Sequence, residues 1–216
     1  MIREPLDFSG AVVFDEQGYL AEFLARAAEE ETPVEDLVFH RLTFDNLLLT
    51  GLELRRCRFE GCRFVACRLP KLYLRDCALE QCDLSGCRLT DATYWRVFWK
   101  DCKFSGTQFA SSSLRECGFL RCAGEFVNFS GCSLRQTGFE ECRLPEASFD
   151  SCKPVRLSFA DCALRRADFS GTALKGIDLS SDDIEGMLAA GPELRGAVVS
   201  ALQACELARL LGVIIK

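Results

Sequence analysis

The sequence is poor in the residues that most catalytic centres are built from. Its 216 residues include a single histidine, His40, with three tyrosines, two methionines and six prolines. One imidazole excludes a histidine pair for zinc and leaves histidine acid–base chemistry a single candidate. No run of about 20 apolar residues occurs, so no helix is expected to span a bilayer. The first ten residues, MIREPLDFSG, contain no apolar signal core. A soluble, cytoplasmic protein is therefore expected. No glycine-rich loop follows a strand–helix pattern, which removes the usual phosphate cradle.

Cysteine is abundant instead, with 14 residues, and thirteen of them (57, 62, 67, 77, 82, 87, 102, 117, 122, 132, 142, 152, 162) share one phase of a five-residue period. Only Cys205 lies outside it. Two residues after each comes Phe or Leu, except at Gly124 and Pro154. Across the thirty positions 39, 44 and onward to 184, twelve are Phe and thirteen are Leu. Tyr94, Trp99 and Ile184 are also apolar, and no residue is inserted or deleted. Five matches neither a helical face nor an alternating strand. The Phe or Leu (position i) and the small residue at i−2 point inward from a short extended segment. Positions i−1 and i+1 point outward, and Gly, Asp and Ser at i+2 mark a turn, as at Gly61, Gly86 and Gly106.

The units CDLSG (82–86), ADFSG (167–171) and CRFEG (57–61) resemble the pentapeptide-repeat family over residues 37–184. The resemblance implies an all-β fold, a right-handed quadrilateral parallel β-helix with four pentapeptides per coil. Coils would stack roughly 4.8 Å apart, the spacing of neighbouring strands. One core column then takes Phe39, Phe59, Leu79, Trp99, Phe119, Phe139, Phe159 and Leu179. A second takes six thiols, from Cys62 to Cys162. Their spacing follows the repeat rather than a ligand set, so no metal, cofactor or disulfide is expected. The thiols are expected to be small, inert core fillers.

Both ends of such a solenoid need caps. Residues 1–36 hold ten acids against Arg3 and Arg26, and 16–30 have the apolar spacing of a capping helix. At the other end, Ser200-x-x-Gln203 has the form of a capping box opening a helix that stops at Gly212. Residues 185–216 form the second cap. The stretch QACELARLLGVII (203–215) is similar to the C-terminal module of the quinolone-resistance (Qnr) branch of the family. That similarity implies a homodimer through Leu202, Leu207, Leu210, Leu211, Val213, Ile214 and Ile215.

A filled rod has no cavity for catalysis, so no enzyme is expected and function falls to the outer faces. One face carries Arg55, Arg56, Arg75, Arg96, Arg115, Arg135, Lys153, Arg156 and Lys175 against three acids, a net of +6. The adjoining face carries Glu60, Glu80, Asp101, Glu140, Glu141, Asp161 and Asp178 against four cations, a net of −3. Trp95 and Phe98 fall at outward positions and are expected to form an exposed aromatic patch. The resemblance implies a protein that imitates duplex DNA, with a type II topoisomerase such as DNA gyrase as partner and the acidic face as contact. The alternative is an interaction scaffold for an unrelated target, using the aromatic patch or the arginine face. Nucleic acid is not the expected partner, because cations at ~4.8 Å mismatch phosphates at ~3.4 Å.

Overall fold

Each five-residue unit makes one side of a four-sided coil, so every residue lies beside its counterpart four units on, in the adjacent coil. A computed structural model gives the structure of the protein over residues 7–210 and 212–214. Leu54 pairs with Leu74, Phe59 with Leu79, Phe44 with Phe64, and Arg68 with Arg88, all in parallel ladders. The result is a parallel β-helix built mostly from very short strands. Two longer strands, Tyr73–Glu80 and Thr93–Lys100, run on through a corner. The turn falls at i+2, where φ is positive whether or not the residue is glycine: 50° at Arg56, 56° at Asp76 and 71° at Gly86.

Identical inward positions stack on one another. Trp99, Phe119, Phe139 and Phe159 form one column with ring centroids 4.4, 4.5 and 5.2 Å apart and nearly parallel planes. Phe109, Phe129, Phe149 and Phe169 form the opposite column at 5.0–5.1 Å. The two meet edge to face across the axis, as Phe119 and Phe129 do at 82°. Both geometries suit the ring quadrupole.

The thiols do more than fill space. Each Sγ–H of the six-cysteine column donates to a core carbonyl of the preceding coil, from Cys62 to Phe39 O at 3.2 Å through Cys162 to Phe139 O at 3.4 Å. Hydroxyls replace thiols in the same role, with Thr107 Oγ1 donating to Leu84 O at 2.7 Å and Thr172 Oγ1 to Phe149 O at 2.6 Å. Where the residue at this position is Cys, Thr or Ser, its side chain donates to the preceding coil; elsewhere Ala, Val, Leu or Ile fills the same place without a donor. Burial pushes the Cys117 and Cys132 thiols up to about 12, which keeps them protonated donors.

The ladder begins ahead of the strict repeat. Strand Val12–Phe14 pairs in parallel with Leu37–Phe39, across a loop long enough to hold helix α1, Leu20–Glu29. Leu20, Leu24 and Ala27 of α1 are buried on the first coil, and Phe23 stacks on Phe14 at 5.0 Å. The Gln17 amide clamps this segment to both backbone groups of Thr43. At the far end, the Ser200 and Gln203 side chains exchange capping bonds with each other's amides, at 2.7 and 3.3 Å, and open helix α2, Ala201–Leu210. Gln203 Nε2 also donates to Leu179 O and Asp182 O, both at 2.7 Å, which satisfies carbonyls of the last coil. Gly212 follows with φ of 77°. Among the described residues no helix is long and apolar enough to cross a membrane.

Two residues depart from their columns in ways that make predictions. Gly124 occupies a Phe/Leu position, yet a Cβ there would lie 3.0 Å from Phe104 Cβ and 3.3 Å from Val127 Cβ. Gly124→Leu, which restores the repeat pattern, is expected to lower stability by about 1–3 kcal/mol through overpacking. Urea denaturation checks this, and an unchanged or raised midpoint contradicts it. Asp182 takes the thiol position below Cys162 and accepts the Cys162 N–H at 2.7 Å, but Oδ2 is buried without a partner. Burial, aided by Asp161 and Asp178, raises its pKa from 3.8 to about 6. The folded state thus binds the proton more tightly than the unfolded chain, and this contribution to stability is full below about pH 4 and lost as pH rises through 6. Asp182→Cys is expected to stabilise the protein at pH 7.5 by on the order of 1–2 kcal/mol and to flatten its stability between pH 4 and 7. Thermal melts across that range check both effects.

Candidate interaction faces

The outward side chains obey the same coil-to-coil register as the core, and this decides which charges are free. On the basic face, Arg55 meets Glu53 at 2.6 Å and Glu35 at 3.3 Å, while Arg56 meets Asp36 at 2.6 Å. Glu35 and Asp36 come from the segment preceding the strict repeat, so that acidic segment neutralises the first arginines of the rod. The Arg56 guanidinium holds the Asp36 carboxyl below its ordinary pKa. Asp76 pairs with both Arg75 and Arg96, and Glu116 with Arg115. Arg135, Lys153, Arg156 and Lys175 have no ion-pair partner among the described residues.

The acidic face has the same polarity. Glu60 is paired with Arg58 at 2.8 Å and with His40 at 3.1 Å, Glu80 with Arg58 at 3.1 Å, and Asp101 with Arg121 at 2.9 Å. Glu140, Glu141, Asp161 and Asp178 have no ion-pair partner among the described residues. Asp178 instead accepts the Ser180 N–H at 2.9 Å, which lowers its pKa. The cations of the basic face and the acids of the acidic face are therefore paired toward the N-terminal end and without ion-pair partners toward the C-terminal end. Three of these pairs, Asp36–Arg56, Asp76–Arg96 and Asp101–Arg121, join turn positions one full coil apart. The sequence carried that signal once the coil length was known.

The aromatic patch needs correction. Phe98 is 4% exposed. Its cross-coil neighbours are Ala78 and Gly118, whose small size lets the ring lie against the sheet instead of projecting. Trp95 belongs to the basic face, in register between Arg75 and Arg115. The guanidinium carbons of Arg75, Arg96 and Arg115 lie 4.4, 4.3 and 5.3 Å from its ring centroid. Such cation–π contacts hold the indole flat and half-buried. Its Nε1 is buried without a hydrogen-bond partner. Trp95 and the arginine face are one surface, while Phe98 belongs to neither.

At the C-terminal end, Leu202, Leu210, Val213 and Ile214 are exposed, Ile214 by 86%. Leu207, expected at the same surface, is buried against the last coil, one turn beyond the buried Gln203. Leu211 and Ile215 lie outside the described residues. Among the described residues no three His, Cys, Asp or Glu side chains converge as a metal site.

A family model described as a pentapeptide repeat region matches residues 52–129 and 92–169. Among solved structures, the chain is similar to a trypsin-treated form of QnrB1, a plasmid-mediated fluoroquinolone resistance protein. The two share 18% identity over 85% of this chain and 98% of that one, with a TM-score of 0.42. It is also similar to HetL, a pentapeptide repeat protein involved in heterocyst differentiation regulation from the cyanobacterium Nostoc sp. strain PCC 7120. There the identity is 18% over 76% and 90% of the two chains, with a TM-score of 0.37. No curated protein matches the chain.

Proposed function

Because the chain belongs to the pentapeptide-repeat family, matched over more than half its length, we propose that it is a non-catalytic protein that acts by surface contact with another protein. The specific reading is a DNA-like rod that binds a type II topoisomerase, DNA gyrase or topoisomerase IV, in the cytoplasm and protects it from inhibitors. One observation carries it. The acids of the acidic face that lack partners, Glu140, Glu141, Asp161 and Asp178, gather toward the same end as the exposed Leu202, Leu210, Val213 and Ile214. A homodimer joined through that apolar end brings two acidic strips together about the two-fold axis. Carboxylates repeating at roughly the 4.8 Å coil spacing, unneutralised by their own chain, suit a basic DNA-binding saddle. On this reading residues 1–36 cap the rod, 37–184 form its faces, and 185–216 both cap and dimerise.

A second reading rests on Trp95 held flat by three arginines. A planar ring in a cationic frame is the kind of anchor that dominates protein interfaces. In this case the protein is a scaffold for a different target, and Trp95→Ala removes that target from pull-downs while leaving topoisomerase binding unchanged.

DNA gyrase supercoiling with a fluoroquinolone, with and without the protein, separates the two readings. The expected result is restored supercoiling at micromolar protein, reduced at least tenfold in potency by Glu140→Gln/Glu141→Gln/Asp161→Asn. No rescue and no inhibition of gyrase by the unaltered protein excludes the topoisomerase reading. Light scattering on Leu210→Asp/Ile214→Asp is expected to give a folded monomer with the same loss of potency. A dimer that survives those changes excludes this interface.

A further inference from the structure

The coil ladder has a break, and it lies on the two charged faces. Strand Lys153–Val155 pairs with Ser133–Arg135, and Ser158–Ala160 with Gly138–Glu140, but neither pairs with the following coil. On the other two faces the ladder continues at this level, through Ala163 with Asp183 and Ser148 with Asp168. Below the break, pairing resumes, with Leu174 N–H donating to Glu193 O and Leu179 N–H to Val198 O. The opening is bounded at its corners by side chains. Cys152 N–H donates to Thr172 Oγ1 and Cys162 N–H to Asp182 Oδ1, each at 2.7 Å.

Pro154 explains the break on the basic face. At a core position the N–H donates to a carbonyl of the following coil, as Phe64 does to Asp83 O at 2.8 Å and Phe149 to Asp168 O at 2.7 Å. Proline has no N–H, so the equivalent bond to Ala173 O cannot form. Two further donors are left over. Gln136 N–H donates to Val155 O and Lys153 N–H to Cys132 O, but the equivalent amides of Arg156 and Ala173 have no partner among the described residues. Between them lies a concavity of about 210 Å³ with Pro154, Leu157, Ala173 and Ile177 in its wall and Arg156 and Lys175 at its rim. Glu193, on the next coil, is directed to Gly171 N–H at 2.9 Å.

We propose that this notch binds a carboxylate side chain presented by an extended, acidic segment of a protein partner. The oxygens take hydrogen bonds from unpaired amides and charge from Arg156 and Lys175, while the apolar wall holds the aliphatic stem. Lys153, on the same strand as Pro154, and Arg135, one coil above, also lack ion-pair partners and extend the attraction to neighbouring acids of the segment. A nucleic-acid strand fits poorly, because Glu140, Glu141 and Asp161 on the adjoining face repel its backbone. The notch is separate from the acidic strip, so it stands whether or not the partner is a topoisomerase.

The probe is an N-acetylated octapeptide of alternating Glu and Leu, with its Gln/Leu counterpart, inorganic phosphate and a DNA 12-mer as comparisons. Amide NMR of the full chain is expected to show the Glu peptide shifting Arg156, Ala173 and Lys175. Arg156→Gln/Lys175→Gln is expected to weaken that binding at least tenfold, and Arg63→Gln, on a different face, to leave it unchanged. Pro154→Leu supplies the missing N–H and the usual core residue, and is expected to close the notch and abolish binding in a folded protein. Equal binding of the Gln peptide, binding that survives Pro154→Leu or the double substitution, or tighter binding of phosphate or DNA at the same amides overturns the proposal.

Discussion

One constraint, the in-register parallel stacking of four-sided coils, governs every column of this molecule. Backbone hydrogen bonds hold each residue directly over its counterpart, so a side chain's environment is set by the equivalent positions in the coils before and after it. Inward, that rule turns a column of Phe into stacked rings and a column of Cys into a chain of donors to the coil before. Outward, it turns an acid and an arginine one coil apart into an ion pair. Because both ladder groups of a strand are used by the coils on either side, the rod has unsatisfied edges only at its ends and wherever a coil fails to pair.

The ends are closed by different chemistry. At the N-terminal end, the strand Val12–Phe14 adds one more rung, and α1 buries Leu20 and Leu24 against it. Glu35 and Asp36 then neutralise Arg55 and Arg56, so the closure is electrostatic as well as apolar. At the C-terminal end, α2 is anchored chiefly by Gln203 and Leu207, while Leu202 and Leu210 face outward. A helix this short has little stability of its own and depends on packing. The N-terminal end packs α1 on the first coil and leaves Val12 and Val13 exposed on the edge strand, whereas the C-terminal end leaves Leu202, Leu210, Val213 and Ile214 exposed.

The period, the caps and the inward or outward sense of most side chains were readable in the sequence because they depend on local phase alone. What was not readable depended on a neighbour in the next coil. Phe98 has an outward phase, yet Ala78 and Gly118 give it space to lie flat, so it is buried. The net charge of a face summed correctly but hid the pairing that neutralises Asp76, Asp101 and Glu60. The cysteines were placed correctly inside, but their hydrogen bonds to carbonyls of the preceding coil emerge only when the coils are stacked. Trp95 has the outward phase but is half-covered by arginines rather than exposed; Arg75 and Arg115 were assigned to another feature although all three share one column.

Gly124 and Pro154, the two interruptions of the Phe/Leu column, show why a broken pattern has no single meaning. At Gly124 the missing side chain is compensated, since Phe104 and Val127 close over the position and the ladder continues through Ala123 and Arg143. At Pro154 the loss is of a backbone donor, which no side chain can supply from within the core. The ladder opens there, and the opening coincides with the end of the rod where charges lack partners. On the basic and acidic faces, the first arginines and acids are taken up by one another. The partnerless acids of the acidic face, the partnerless cations of the basic face, the open amides beside Pro154 and the exposed side of α2 all lie in the C-terminal half, and binding follows from that asymmetry more directly than from total charge.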